Sequence, residues 1–98
     1  MRVKFAPPVA VIGASPKYGN SPFFVQFRGD KSYDPDVTVV DYLWNFGDKT
    51  ISKEINPQYV YVNATKRPKV YTAKLTVTDN QGATRTSFTA IIVYPKIK

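Results

Sequence analysis

Residues 70–78 alternate between apolar and polar side chains more cleanly than any other segment, and this pattern constrains the fold more than any other feature of the sequence. A period of two places successive side chains on opposite faces of a β-strand, so one face of this segment is predicted to be buried. The apolar set is Tyr71, Ala73, Leu75 and Val77, and the polar set is Thr72, Lys74, Thr76 and Thr78. No segment has the 3.6-residue period of an amphipathic helix, so the sequence predicts an all-β fold.

Short strands separated by turn signals are predicted along the whole chain, which contains 8 prolines and 5 glycines. The seven predicted strands cover residues 9–14, 23–27, 39–46, 50–54, 59–61, 70–78 and 83–94. Residues 16–22 are predicted to be a turn-rich connection, and residues 79–82 a hairpin turn in which Gly82 supplies a positive φ. About seven short strands of this kind indicate an immunoglobulin-like antiparallel two-sheet sandwich.

The predicted core is centred on the single tryptophan, because Trp44 alternates onto the same strand face as two other aromatic residues. Tyr61 is expected to pack there as well, with its hydroxyl hydrogen-bonded to backbone across the end of the sandwich. The predicted core residues are Tyr42, Trp44, Phe46, Tyr61, Leu75 and Val77.

The length and composition exclude several classes of protein. A chain of 98 residues suffices for one domain, predicted to span residues 1–98 with its core at about 7–94 and short basic termini. The absence of cysteine and histidine excludes disulfides and zinc–thiolate sites and removes the usual catalytic bases and nucleophiles. We therefore predict a non-catalytic domain without a small-molecule substrate, and no apolar run is long enough to span a membrane.

Four motifs, in order along the chain, resemble those of the polycystic kidney disease (PKD) domain family. They are PPVA at residues 7–10, YLWNFGD at 42–48, NPQYVY at 56–61 and YTAKLTVTDNQG at 71–82. The resemblance implies an immunoglobulin-like sandwich. Asn45 stands where the family usually has Asp, and the loop at 62–70 is a few residues longer than usual. This long basic loop is the expected place for a property specific to this protein, because loops carry function on a rigid scaffold.

Calcium is the one cofactor that the resemblance suggests, and no other cofactor is predicted. Members of the family can bind calcium near one end of the sandwich, and the corresponding candidates are Asp34, Asp36 and Asp79. Calcium takes six to eight oxygen ligands, so backbone carbonyls and water would have to complete the shell. The alternative is that these carboxylates accept hydrogen bonds from the backbone of their own turns.

Partner binding is predicted from charge and from one apolar outlier. The chain has 14 Lys and Arg against 7 Asp and Glu, a net charge of +7, which attracts acidic partners or serves solubility alone. Lys66, Arg67 and Lys69 are the candidate contacts for an acidic or repetitive protein surface, with Phe24 on the face opposite the core. Nucleic acid is an unlikely partner, because neither stacking aromatics nor a reading element accompanies the basic loop.

Two hypotheses for function follow. The first is a structural protein that decorates or cements a larger assembly such as a virus capsid, located on the virion or another assembly surface if Met1 is native. The second is a spacer or adhesion module from a multidomain secreted enzyme or cell-surface protein, which would bind protein or polysaccharide outside the cell. In addition, Asn63-Ala64-Thr65 is a glycosylation sequon, which has meaning only in an exported chain.

Overall fold

Two β-sheets packed face to face form the fold in the computed structural model, which describes residues 7–35 and 38–97. The eight strands are β1 (Gly13–Ser15), β2 (Tyr18–Asn20), β3 (Phe23–Arg28), β4 (Val39–Asn45), β5 (Ile51–Ser52), β6 (Gln58–Tyr61), β7 (Lys69–Asp79) and β8 (Thr84–Tyr94). No helix long and apolar enough to cross a membrane occurs in these two ranges. The prediction of an all-β, immunoglobulin-like sandwich is confirmed.

The small sheet has the order β1-β3-β6 and the large sheet the order β2-β8-β7-β4-β5. The long hairpin of β7 and β8 dominates the large sheet, with paired residues from Lys69 opposite Val93 to Thr78 opposite Thr84. The turn between these strands is the predicted one at residues 79–82, where Gly82 has a φ of 88°. Alternation along β7 and β8 therefore fixes which residues face the small sheet and which face outward.

The prediction was wrong in detail at the N-terminal edge. Instead of one strand at 9–14, Val9 forms an isolated bridge with Tyr33, and the strand β1 begins only at Gly13. The predicted connection at 16–22 contains a strand, β2, which crosses to the large sheet and pairs parallel with β8. The physical reason is that Pro16 cannot donate a ladder hydrogen bond, so β1 ends there and the next residues pair elsewhere.

Phe27 lies at the centre of the core between the two sheets. Its ring centroid is 5.2 Å from that of Trp44, 5.3 Å from that of Phe46 and 6.4 Å from that of Tyr61. Of the predicted core residues, five are buried and Tyr42 is half-buried against them. Because β3 belongs to the small sheet and β4 to the large one, these ring contacts join the two sheets.

Phe27 and Phe24 lie on opposite faces of β3, so replacing each in turn should separate the contributions of core and surface to the free energy of unfolding. We expect Phe27→Ala to lower the free energy of unfolding by about 3 to 5 kcal/mol, because it leaves a cavity among the rings. Phe24 is 48% exposed and packs only across the strand pair, so Phe24→Ala should cost less than about 1 kcal/mol. Urea denaturation measures both; equal losses for the two variants would contradict this account of the core.

Candidate binding surfaces

The YLWNFGD motif at residues 42–48 builds a locked turn after β4. The Gly47 N–H donates to the Asn45 side-chain oxygen at 2.9 Å, and the Thr50 N–H donates to Asp48 Oδ1 at 3.1 Å. The Tyr59 hydroxyl donates to the other Asp48 oxygen and so ties the turn to β6. The polar residues of the motif therefore hold the turn in place.

Gly47 lets this turn lie directly against β7. Its φ is +93°, and a Cβ at this position would lie 2.7 Å from the Thr72 carbonyl oxygen. The positive φ is strained for a larger residue, and the close approach leaves no room for a Cβ. The turn consequently forms one wall of a groove on the outer face of the large sheet.

The outer face of the large sheet, called the large-sheet face below, carries exposed apolar side chains in cross-strand rows. One row consists of Tyr18, Ile92 and Val70 on β2, β8 and β7. A second row runs from Phe88 on β8 through Lys74 and Asn45 to Ile51 on β5. The exposed fractions are 68% for Tyr18 and Phe88, 65% for Val70 and 59% for Ile51. Clustered apolar exposure of this kind marks interaction surfaces.

The groove on this face has a volume of about 400 Å³ and is lined by Asn45, Gly47, Lys49, Val70, Thr72 and Lys74. Two lysines and a threonine supply hydrogen-bond donors, and Val70 joins the groove to the row that contains Tyr18. The large-sheet face therefore combines apolar contact with positive charge.

The outer face of the small sheet is the less apolar of the two sheet faces. Phe24, the predicted partner-binding residue, is exposed there and lies directly opposite Val60 on β6. The next inter-strand pair is polar, since the Gln58 amide donates to the Gln26 side-chain oxygen at 3.1 Å. The sequence singled out Phe24 but missed Tyr18, Val70 and Phe88, which the register of β2, β7 and β8 brings to one face.

The three candidate cations of the basic loop are exposed but have different surroundings. The Lys69 ammonium lies 5.5 Å from the centre of the Tyr71 ring. Lys66 lines a cleft of about 500 Å³ at one end of the sandwich, where Lys96 also lies. Arg67 contributes its backbone carbonyl to the loop's hydrogen bonds. Arg2, Lys4 and Lys98 of the basic termini lie outside the described residues.

Asn63 of the glycosylation sequon is a structural residue. It is 2% exposed, and its side-chain nitrogen donates to the Val93 carbonyl at 2.8 Å and to the Arg67 carbonyl at 2.7 Å. Its side-chain oxygen accepts from the Thr65 N–H and hydroxyl. The nitrogen that would carry a glycan is thus enclosed in the folded domain.

The three calcium candidates have different surroundings as well. Asp79 is 1% exposed, and its Oδ1 accepts from the Gln81 and Ala83 N–H groups at 2.9 Å each, as a turn carboxylate would. Its Oδ2 is buried with no hydrogen-bond partner in the described ranges, which fits a cation. Asp34 is partly buried, and Asp36 lies outside the described residues. Residues 7–35 and 38–97 contain no group of three metal-binding side chains.

Tyr61 carries a buried hydrogen bond between the two sheets. Its hydroxyl donates to the Phe46 carbonyl at 2.7 Å, in a buried position fifteen residues away along the chain. Burial raises the pKa of this phenol far above its ordinary value, and the nearby charge of Asp48 raises it further. Burial and the hydrogen bond to Asp48 also raise the pKa of Tyr59.

The PKD domain family model matches residues 5–93. This chain belongs to the PKD domain family. It is 41% identical over 69 residues to collagenase ColQ1 of Bacillus cereus strain Q1, covering 70% of this chain and 7% of that protein. It is 33% identical over 86 residues to a microbial collagenase of Vibrio alginolyticus, covering 88% of this chain and 10% of the collagenase.

Solved structures agree with this assignment. The PKD1 domain of Vibrio anguillarum Epp superposes with a TM-score of 0.76 at 32% identity, covering 94% of this chain and 99% of that domain. A structure solved to explain the promiscuous specificity of carbohydrate-binding modules from the β-sandwich superfamily superposes with a TM-score of 0.84 at 33% identity. That match covers 95% of this chain and 36% of the other chain.

The PKD domain is a non-catalytic module, and it forms a small part of each of the two collagenases named here. These relatives favour the interpretation as a module of a multidomain secreted protein. They give no support to the hypothesis of virion decoration, for which the sequence contains no motif.

Alkaline pH should destabilise the domain through Tyr61. Since its folded-state pKa lies above the ordinary value of 10.0, the contribution of the neutral phenol to stability is complete below about pH 10 and is lost as pH rises further. We expect Tyr61→Phe to remove the last phase of a titration followed by tyrosinate absorbance, because burial raises the pKa of the Tyr61 phenol. An unchanged last phase in the variant would contradict the assignment.

Calcium binding at Asp34, Asp36 and Asp79 stays a prediction with a direct test. A cation bound there would raise the melting temperature in millimolar calcium and not in magnesium, because it binds only the folded state. Asp79→Asn should abolish the rise, whereas Asp41→Asn, on the outer face of β4, should preserve it. No shift with calcium in the unmodified domain would rule the site out.

Proposed function

We propose that this domain is a non-catalytic binding module of a larger secreted enzyme, and that it attaches the enzyme to a fibrous protein substrate such as collagen. The observation that carries the proposal is the large-sheet face, where Tyr18, Val70 and Phe88 are each about two-thirds exposed on one flat surface. The collagenases that contain related domains supply the class of substrate.

The shape of the face suits an extended polymer. Adjacent strands lie about 4.8 Å apart and residues advance about 3.3 Å along a strand. Ile92 and Phe88, four residues apart on β8, are therefore separated by about 13 Å. The two rows that contain them would contact a fibre at two positions along its length. Each contact is weak, but a repetitive substrate offers many equivalent sites, which raises the effective concentration of the attached enzyme.

The charges of the groove favour a protein over a neutral glycan. Lys49 and Lys74 flank the groove, and ammonium groups attract the acidic side chains of a protein fibre. The domain as a whole carries a net charge of +7, so its approach to an acidic surface is favoured at low ionic strength.

Polysaccharide is the second candidate, favoured by the similarity to the structure solved for carbohydrate-binding modules. Sugar rings pack on exposed aromatic faces, and Tyr18 and Phe88 are the two most exposed rings of the large-sheet face. The matched region is about a third of that other chain, however, so its specificity need not reside in the part that resembles this domain.

Co-sedimentation with insoluble collagen fibres tests the proposal. We expect the domain to sediment with the fibres and Tyr18→Ala/Phe88→Ala to lower the affinity about tenfold, because two exposed rings lose their contacts. The matched control is Phe24→Ala, which removes an exposed ring from the other sheet and should bind like the unmodified domain. Circular dichroism verifies that all variants are folded.

Three outcomes would contradict the proposal in different ways. Loss of binding in Phe24→Ala alone would indicate that the site is on the small sheet and includes Phe24, which the sequence analysis named as a partner-binding residue. Sedimentation with cellulose or chitin but not with collagen would establish the polysaccharide candidate. No binding to any of these polymers would leave the domain as a spacer, with the exposed face available for contact with neighbouring domains.

A further inference from the structure

We infer that the cleft at the end of the sandwich, called the end cleft below, binds an acidic side chain of a partner polypeptide. Its lining includes the apolar residues Val62, Ala64 and Pro95 together with Lys66 and Lys96. The volume of about 500 Å³ is sufficient for a few side chains of a peptide. The end cleft shares no lining residue with the groove of the large-sheet face.

A network of buried hydrogen bonds forms the wall of the end cleft before any ligand arrives. The Ser21 hydroxyl oxygen accepts a hydrogen bond from the Asn63 N–H at 2.8 Å, and the Asn63 side-chain nitrogen donates one to the Val93 carbonyl at 2.8 Å. The same side chain holds the loop through the Arg67 carbonyl and Thr65. A partner therefore binds a wall that is already ordered, which reduces the entropic cost of association.

The charge of the end cleft is uncompensated in the described part of the chain. The ion pair in residues 7–35 and 38–97 joins Arg28 to Asp30 and involves neither Lys66 nor Lys96. No acidic residue is among those that line the cleft. Lys66 and Lys96 are exposed, and their two positive charges attract a carboxylate to the apolar cleft. The complementary ligand is an anion.

The apolar part of the lining selects a peptide over an anionic sugar. Sugars pack on aromatic rings, and the lining of the end cleft contains none. Val62, Ala64 and Pro95 instead suit an aliphatic side chain next to the carboxylate. In this inference Lys66 acts with Lys96, whereas the sequence analysis grouped Lys66 with Arg67 and Lys69.

This inference rests on the proposed function only in assuming a protein partner, and its test is separate from fibre binding. The probe is a five-residue peptide, acetylated and amidated at its ends, with a central glutamate between two leucines; the matched peptide has glutamine instead. Titration of the isotope-labelled domain, followed by amide chemical shifts, should localise the glutamate peptide at Val62–Lys66 and Lys96. We expect a dissociation constant on the order of 1 mM and at least tenfold weaker binding of the glutamine peptide.

The variant Lys66→Ala/Lys96→Ala should weaken binding of the glutamate peptide at least tenfold. The matched control is Lys31→Ala/Lys53→Ala, which removes the same charge from two exposed positions that line neither the end cleft nor the groove and should leave this binding unchanged. Equal affinity for the two peptides, shifts at another surface, or equal losses in both double variants would overturn the inference. Tighter binding of an oligogalacturonate at the same residues would replace the peptide by an acidic polysaccharide.

Discussion

The contact of the Phe27 ring with the rings of Trp44 and Phe46 is the interaction on which the rest of the structure depends. Many sandwiches of this kind join their sheets with a disulfide, but this chain has no cysteine. Close-packed rings supply the inter-sheet contact instead, supported by the buried hydrogen bond from Tyr61 to the Phe46 carbonyl. These rings hold the end of β4 against the small sheet, and the turn that follows Phe46, which walls the groove on the large-sheet face, is positioned by this contact together with its own hydrogen bonds.

The sequence predicted those parts of the fold in which each strand carries its own signal. Alternation identified β7, and Gly82 marked the turn to β8, so the longest hairpin followed from local pattern alone. The sequence could not predict β2, because the residues Tyr18–Asn20 have no periodicity of their own. Their strand conformation depends on backbone pairing with β8, more than seventy residues later. Pairing with a remote strand leaves little trace in a three-residue segment.

The candidate surfaces were predictable to a lesser degree. The strict alternation of β7 should have drawn attention to Val70, which is the one apolar residue in its outward phase. Phe88 likewise lies among the outward residues of β8. The sequence shows that each of these apolar residues faces outward, but it does not show that they are neighbours. Only the register between strands aligns them with Tyr18 in rows. Asn63 illustrates the opposite error, since a surface modification motif coincides with a buried residue that organises a loop.

The parallel pairing of β2 with β8 determines how the domain responds to mechanical load. Tension applied through the two ends of the chain reaches β2 from its N-terminal side and β8 from its C-terminal side. Because the two strands run in the same direction, such tension slides them past each other and strains their hydrogen bonds together rather than one after another. A module inserted between an enzyme and an anchored fibre would therefore transmit force along the chain while its sheets stay intact.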